Sequence, residues 1–281
     1  MKIVADSPAL TIITPTGDRP EAFALCERWM RAQTWPGDAR WIVVDDGRTP
    51  ASCTMGQLHV RREPSSADPP HTLCANLRAA LPLAGSGRVI IVEDDDYYGP
   101  QYVATMMSWL DRADLAGEVG AKYYDLRYGW HHFSRDDHAS LCRTGGKGEA
   151  VSAMLAAVTG TDHPSADMRL WASWRGSTHT LRDERGTARL CVGIKGMAGR
   201  ASPLHKQRKC YRPDPDFQRL RLWVGEDWPV YGDMIRAERK KNGRERIAVY
   251  TALFGGCDEV TIPPVIAEDD ADWILFTDQE A

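Results

Sequence analysis

The chain has 281 residues, 43% of them hydrophobic and 26% charged, with a formal net charge of -4 and a pI near 6.1. That length suits one large domain or one domain with a smaller annex, and that balance excludes a disordered tail, a fibre and a surface built wholly for nucleic acid. The seven cysteines show no CxxC pair or zinc-like spacing, no stretch reaches the roughly 18 to 20 apolar residues of a membrane span, and the N-terminus does not read as a signal peptide, so the expectation is a cytoplasmic protein with reduced thiols.

Leu10-Thr11-Ile12-Ile13 is an apolar run that ends in the turn-like Thr14-Pro15-Thr16-Gly17-Asp18-Arg19-Pro20, and it predicts a buried strand entering a loop. Glu21 to Gln33 carries Phe23, Leu25, Cys26, Trp29 and Met30 at helical spacing. Trp41-Ile42-Val43-Val44 is a second strand, stopped by Asp45-Asp46-Gly47, and the strand–helix–strand order predicts a parallel sheet. Gln57 to Val60 reads as a short strand and Thr72 to Leu83 as a helix. Arg88-Val89-Ile90-Ile91-Val92 is the most strand-like segment, cut off by Glu93-Asp94-Asp95-Asp96. Gln101 to Arg112 follows as a helix, then a strand over Lys122 to Arg127 and a helix over Glu149 to Val158. Gly145-Gly146-Lys147-Gly148 lacks the preceding strand of a phosphate-binding loop and reads as a mobile loop. The fold class is therefore α/β, with a Rossmann-type, mostly parallel central sheet flanked by helices.

One domain is expected over residues 1–240, in two halves of about 1–120 and about 121–240. Arg239 to Arg244 reads as a basic linker. Residues 241–281 then hold two more strand-like runs, Arg246 to Tyr250 and Asp272 to Asp278, as a C-terminal annex or the opening of a truncated second domain. Most of the ten tryptophans are expected in the core, with one or two in the second half stacking on a sugar or base.

Acids at the carboxyl edge of a central strand lie where open α/β sheets bind ligands. Asp94 and Asp96, two residues apart, face one divalent ion if the chain there is extended, and a hard ion so held bridges phosphates. Asp45 and Asp46 stand at the same predicted edge, either accepting hydrogen bonds from a nucleoside or forming a simple Asx turn. Thr16 and Arg19 offer a hydroxyl and a guanidinium fork, and Arg78 is a further cation with Asn76 beside it.

Taken together, LTIITPTGDRP, WIVVDDG and RVIIVEDDDYYGPQYV resemble the nucleotide-binding half of GT-A-fold glycosyltransferases of the family 2-like group, over roughly residues 9–110. The resemblance makes 1–120 a donor-binding half and 121–240 an acceptor-facing half, and it implies nucleoside contacts from Pro15, Thr16, Arg19 and Asp46 and metal ligation by Asp94 and Asp96; Asp45 and Asp95 beside them are further candidates for binding the donor. It implies Mn2+ or Mg2+ and a nucleoside-diphosphate sugar, a UDP-sugar first, as donor. Gly225-Glu226-Asp227-Trp228 is the nearest match to the family's acidic base, with Asp227 first and Glu226 second; the competing reading is a cap before the helix Val230 to Arg239. His205 is a third metal ligand or phosphate contact by the same resemblance, with His131 and His132 as alternatives. The C-terminal piece resembles the start of a second glycosyltransferase-like domain.

The expected acceptor is a hydroxyl on a glycan. Hydroxymethylated pyrimidines in DNA are an alternative, because nine arginines and lysines between Arg182 and Arg212 would suit a phosphate backbone. A nucleotidyltransferase and a catalytically silent nucleotide-binding protein are the other readings.

Overall fold

The structure, a computed structural model, describes residues 8–66, 68–69, 71–85, 87–163, 165–183, 185–199, 210–241, 247–253 and 271–277. The chain divides into two compact units, Met1–Trp228 and Pro229–Ala281.

The apolar runs become the centre of a seven-stranded sheet. Strands β1 (Leu10–Thr16), β2 (Ala39–Asp45), β3 (Leu58–Arg61) and β4 (Arg88–Ile91) lie side by side and parallel. Numbering the remaining strands in chain order, β5 is Tyr97–Tyr98, β6 Leu115–Val119, β7 Lys122–Asp125, β8 Trp130–Phe133, β9 Thr144–Gly146, β10 Thr178–Arg182, β11 Cys191–Lys195 and β12 Arg212–Pro213. The order across the large sheet is β10-β6-β9-β4-β1-β2-β3. Only β9 runs antiparallel to its neighbours, so the sheet is mixed rather than a uniformly parallel one.

Strand alternation sorts the side chains onto two covered faces. Ile13, Ile42, Val44, Val89 and Ile91 form one core with helix α2 (Leu73–Ala84), α4 (Glu149–Thr159) and α5 (Ala166–Ser173). Helix α1 (Pro20–Arg31) sets Phe23 against Trp41, with ring centroids 6.3 Å apart, on the side of β2 opposite Ile42 and Val44. Helix α3 (Tyr102–Arg112) follows β5 and packs on β6, β4 and β10. Pro20 stands at the first turn of α1, where its missing N–H costs nothing.

The expected loop at Gly145 to Gly148 is corrected here: Thr144–Gly146 is a buried strand between β4 and β6. Methionines press on both glycines, Met106 Cε within 2.8 Å of a Cβ built at Gly145 and Met154 Cε within 2.9 Å at Gly146. A strand of glycines carries no apolar periodicity, so its sequence signal is that of a loop. On the neighbouring strand, a Cβ at Gly117 would stand 2.5 Å from Ala139 Cβ and 2.9 Å from the Arg143 carbonyl oxygen. Gly117→Ala is therefore expected to destabilise the first unit by about 1–3 kcal/mol, read as a lower urea midpoint with unchanged slope.

A five-stranded sheet, β12-β8-β7-β11-β5, adjoins the acidic run, because β5 follows it directly in the chain. Helix α6 (Gln218–Val224) and a 3-10 turn (Gly225–Asp227) close the first unit. In the second unit, most of helix α7 (Trp228–Lys241) is followed by β13 (Ile247–Leu253) and β14 (Ala271–Thr277), which pair in parallel from Ile247↔Ala271 to Leu253↔Thr277. The expected linker thus begins as helix, and its residues 242–244 lie outside the described ones. Among the described residues no helix is long and apolar enough to cross a membrane.

Candidate functional site

Because β1, β2 and β4 are parallel, the loops that leave them converge at one edge of the sheet. The Asp46 N–H donates to the Thr16 carbonyl oxygen (3.2 Å), and the Thr16 hydroxyl donates to Asp94 Oδ2 (2.7 Å). Arg19 donates to Asp94 Oδ1 at 3.0 Å and to Asp95 Oδ2 at 2.6 Å. Pro15, Thr16, Arg19, Asp46, Asp94 and Asp95 are thereby gathered at this edge, with Pro15 paired in register with Val44.

The acids are not extended. Residues 94–95 form a turn, so the two-residue alternation expected to aim Asp94 and Asp96 together does not operate. Asp94 is turned to Thr16 and Arg19. Asp96 instead lies with Glu93 and Asp95, one oxygen from each falling within 4.8 Å of the others. A second grouping within the same limit joins Asp96 to the buried thiols of Cys142 and Cys191. Asp96 Oδ1 accepts from the Ile194 N–H (3.0 Å) and from Lys195 Nζ (3.4 Å), while Oδ2 is buried with no hydrogen-bond partner among the described residues. Lys195 also stands 4.0 Å from Asp95 Oδ2.

Crowded, buried carboxylates hold their protons. Burial pushes the Asp94 carboxyl up to about 6, with Asp95 adding to the rise and Arg19 opposing it. Glu93 rises to about 8, through burial and then the charges of Asp96 and Asp95, and burial also raises Asp96. A carboxyl whose folded value lies above its unfolded one keeps its proton longer when folded, so its contribution to stability falls as pH rises through that window. In chelator, the wild type is accordingly expected to lose thermal stability relative to Asp94→Asn as pH rises from about 4 to about 6. A difference in midpoint that is flat across that range would contradict this account.

Asp45 serves the loop itself. It is fully buried and accepts from the N–H groups of Gly47 (2.8 Å) and Ala51 (2.7 Å) and from Arg61 (2.7 Å), with His59 at 3.1 Å. Burial acts against ionisation, but these donors hold its carboxyl below the ordinary value. Asp46 pairs with Arg62 at 2.6 Å, and Arg62 also donates to Asn76 Oδ1 at 2.7 Å, so Asn76 reaches this edge through Arg62. Arg78 is aimed elsewhere, at the Val158 carbonyl oxygen (2.8 Å) and Asp162 (2.6 Å), where it fastens α2 to the end of α4.

Asp227 approaches from the C-terminal side of the unit. Its Oδ2 lies 3.1 Å from the Tyr97 hydroxyl and its Oδ1 3.6 Å from Arg28, whereas Glu226 is exposed. Tyr97 directly follows Asp96, so one aromatic residue separates Asp227 from the acidic run. His205 lies outside the described residues. His131 packs edge-on against Trp223, and His132 stacks with Tyr123. Of the nine basic residues from Arg182 to Arg212, Arg182 pairs with Asp137 at 2.6 Å and Lys195 is buried in the acidic centre; Arg200, Lys206, Arg208 and Lys209 lie outside the described residues.

Sequence reasoning missed Lys195, Arg62 and Tyr97 as parts of this centre. The one signal for Lys195 is its place at the end of the apolar run Cys191-Val192-Gly193-Ile194, which marks a strand rather than a basic surface.

No protein-family model matches the chain, and no curated protein matches it. Solved structures with a partial likeness include S. aureus TarS 1-349 in complex with UDP-GlcNAc, at 12% identity and a TM-score of 0.44 over 68% of this chain and 60% of that one. Mannosyltransferase PcManGT from Pyrobaculum calidifontis, in complex with GDP-Man and Mn2+, matches at 13% identity and 0.45 over 85% and 76%. Rv0371c from Mycobacterium tuberculosis matches at 11% and 0.41 over 63% and 89%. The chain spans about three fifths of the TarS fragment it matches. Likeness at this level assigns no activity.

Proposed function

We propose that the first unit is a metal-dependent glycosyltransferase of GT-A-like fold, moving a sugar from a nucleoside-diphosphate sugar, a UDP-sugar first, to a hydroxyl on a glycan. The observation that carries this reading is the meeting of three strand-end loops through Thr16, Arg19, Asp46 and Asp94 beside the all-oxygen cluster Glu93, Asp95 and Asp96. Ligands of open α/β sheets bind at such an edge, and hard divalent ions take oxygen donors. The family resemblance of the same three segments supports it.

The buried, unpartnered Asp96 Oδ2 and the charge of the cluster fit a divalent ion. Glu93, Asp95 and Asp96 would hold Mn2+ or Mg2+, which supplies charge neutralisation for the departing diphosphate. Asp94 has a positioning role: it orients the Thr16 hydroxyl and the Arg19 fork, the groups that face the nucleotide. Asp227 takes the acceptor's proton as the hydroxyl oxygen bonds to the anomeric carbon and the bond to the diphosphate breaks. Tyr97 and Arg28 hold its carboxylate in place. The paired strands of the second unit are read as a C-terminal annex or part of a further domain.

Calorimetric titration with UDP and GDP, with and without Mn2+, tests the donor site. Turnover of the bound nucleotide's sugars against glycan and hydroxymethylated-DNA acceptors then tests transfer. Asp227→Asn is expected to lower turnover by about 10²–10⁴-fold while leaving nucleotide affinity in place. If neither nucleotide binds with any divalent ion, the reading fails.

A further inference from the structure

The acidic centre already holds a cation from each side. Arg19 spans Asp94 and Asp95. From the other side Lys195, only 6% exposed, places its ammonium 3.4 Å from Asp96 and 4.0 Å from Asp95. Its position is built by the fold. Strand β11 pairs with β5, Cys191 against Tyr98 and Val192 against Tyr97, so it runs beside the segment that follows the acids. The Ile194 N–H donates to the same Asp96 oxygen that Lys195 reaches. Gly193 leaves room for the Tyr123 ring, which a Cβ would meet at 2.5 Å, and that ring lies 5.7 Å from the Lys195 ammonium. The ammonium is thus enclosed against two of the three carboxylates suited to a divalent ion.

An ammonium and a divalent ion on the same oxygens repel strongly in a buried setting. A buried ammonium that loses its carboxylates needs another anion. We propose that Lys195 is the built-in counter-ion of this acidic centre and becomes a ligand of the donor's diphosphate when a divalent ion takes Asp95 and Asp96. This rests on the nucleotide-sugar reading above. The ion alone leaves Lys195 beside a like charge, and the diphosphate alone finds Lys195 engaged; together they satisfy all three. Ion and diphosphate therefore bind cooperatively through this one side chain, and the coupling is reciprocal.

The test is calorimetric titration with Mn2+, without and then with UDP, on the wild type, Lys195→Met and Lys195→Arg. Without nucleotide, Lys195→Met is expected to bind Mn2+ about tenfold more tightly than the wild type, and Lys195→Arg to stay within about threefold of it. The factor by which UDP tightens Mn2+ binding is expected to shrink about tenfold in Lys195→Met. Unchanged Mn2+ affinity in Lys195→Met, or a UDP effect that is present and equally large in the wild type and Lys195→Met, overturns the proposal. Should Lys195→Met fail to fold, 15N-lysine spectra of the wild type decide, with the Lys195 ammonium signal assigned by its loss in Lys195→Arg. That signal is expected to shift with Mg2+ alone and again with Mg2+ plus UDP; indifference to both overturns the proposal. Failure of the donor reading looks different: no nucleotide responds, yet Lys195→Met still binds Mn2+ more tightly.

Discussion

Asp95→Asn and Asp96→Asn together are expected to abolish Mn2+ binding and to lower sugar transfer by about 10³-fold or more, since the charge stabilisation a metal gives a departing group is worth several kcal/mol. Two of the three clustered carboxylates lose the ability to ionise, leaving Glu93 as the one acidic side chain of the group. Arg19 and Lys195 then keep fewer partners and repel the incoming ion. Asp45→Asn is the contrasting control. That carboxylate is fully buried and accepts from two backbone N–H groups and Arg61, so its loss lowers thermal stability while the ion still binds. Calorimetry with Mn2+ separates the two outcomes, and retained Mn2+ affinity in the double variant would sink the assignment of the ion to these residues.

The largest expected effect on stability lies away from the acidic centre. Lys122 is buried between Glu118 and Asp183, and its ammonium donates to both, with Asp183 at 3.2 Å. Glu118 is itself buried on β6, and the buried guanidinium of Arg143, close enough to feel the Glu118 charge, donates to the Lys122 carbonyl oxygen at 2.6 Å. Lys122→Met takes from Glu118 its hydrogen-bonded cation and leaves Arg143 as the nearby buried positive charge, a change that costs about 3–5 kcal/mol. For a chain of this size that lowers the thermal midpoint by about 10 °C. Adding Glu118→Gln and Asp183→Asn is expected to restore part of the loss, because neither carboxylate is then left charged without the ammonium that bonded it, although Arg143 loses the charge of Glu118. A shift of under about 2 °C in the single variant would show that Glu118 recruits another partner.

How far the sequence reached is clearest strand by strand. The runs at Leu10, Trp41 and Arg88 are apolar on both faces of a covered sheet, so each is visible as a short continuous block with a sharp polar end. The acids therefore stand where expected, at the edge, and Thr16 and Arg19 meet them there. Strands β6, β8 and β9 were not visible. β9 is glycine on either side of its pairing, β6 mixes Gly117 and Glu118 into its run, and β8 is Trp130-His131-His132-Phe133 with no alternation. Their strand character comes from neighbours remote in sequence, which local patterning does not encode.

What the sequence determined by itself is the set of parallel strands and the edge at which their loops collect, because burial on two faces demands continuous apolar runs and turn residues end them abruptly. What only the tertiary structure decided is how the charges are shared there: Asp94 turned to Thr16 and Arg19, Asp96 grouped with Glu93 and Asp95, Arg78 drawn away to α4, and Lys195 brought in across 99 residues of chain. The reason is physical. A carboxylate's partner depends on the turn that aims it and on which cation burial brings within about 4 Å, and Coulomb attraction at that range takes no account of separation along the chain.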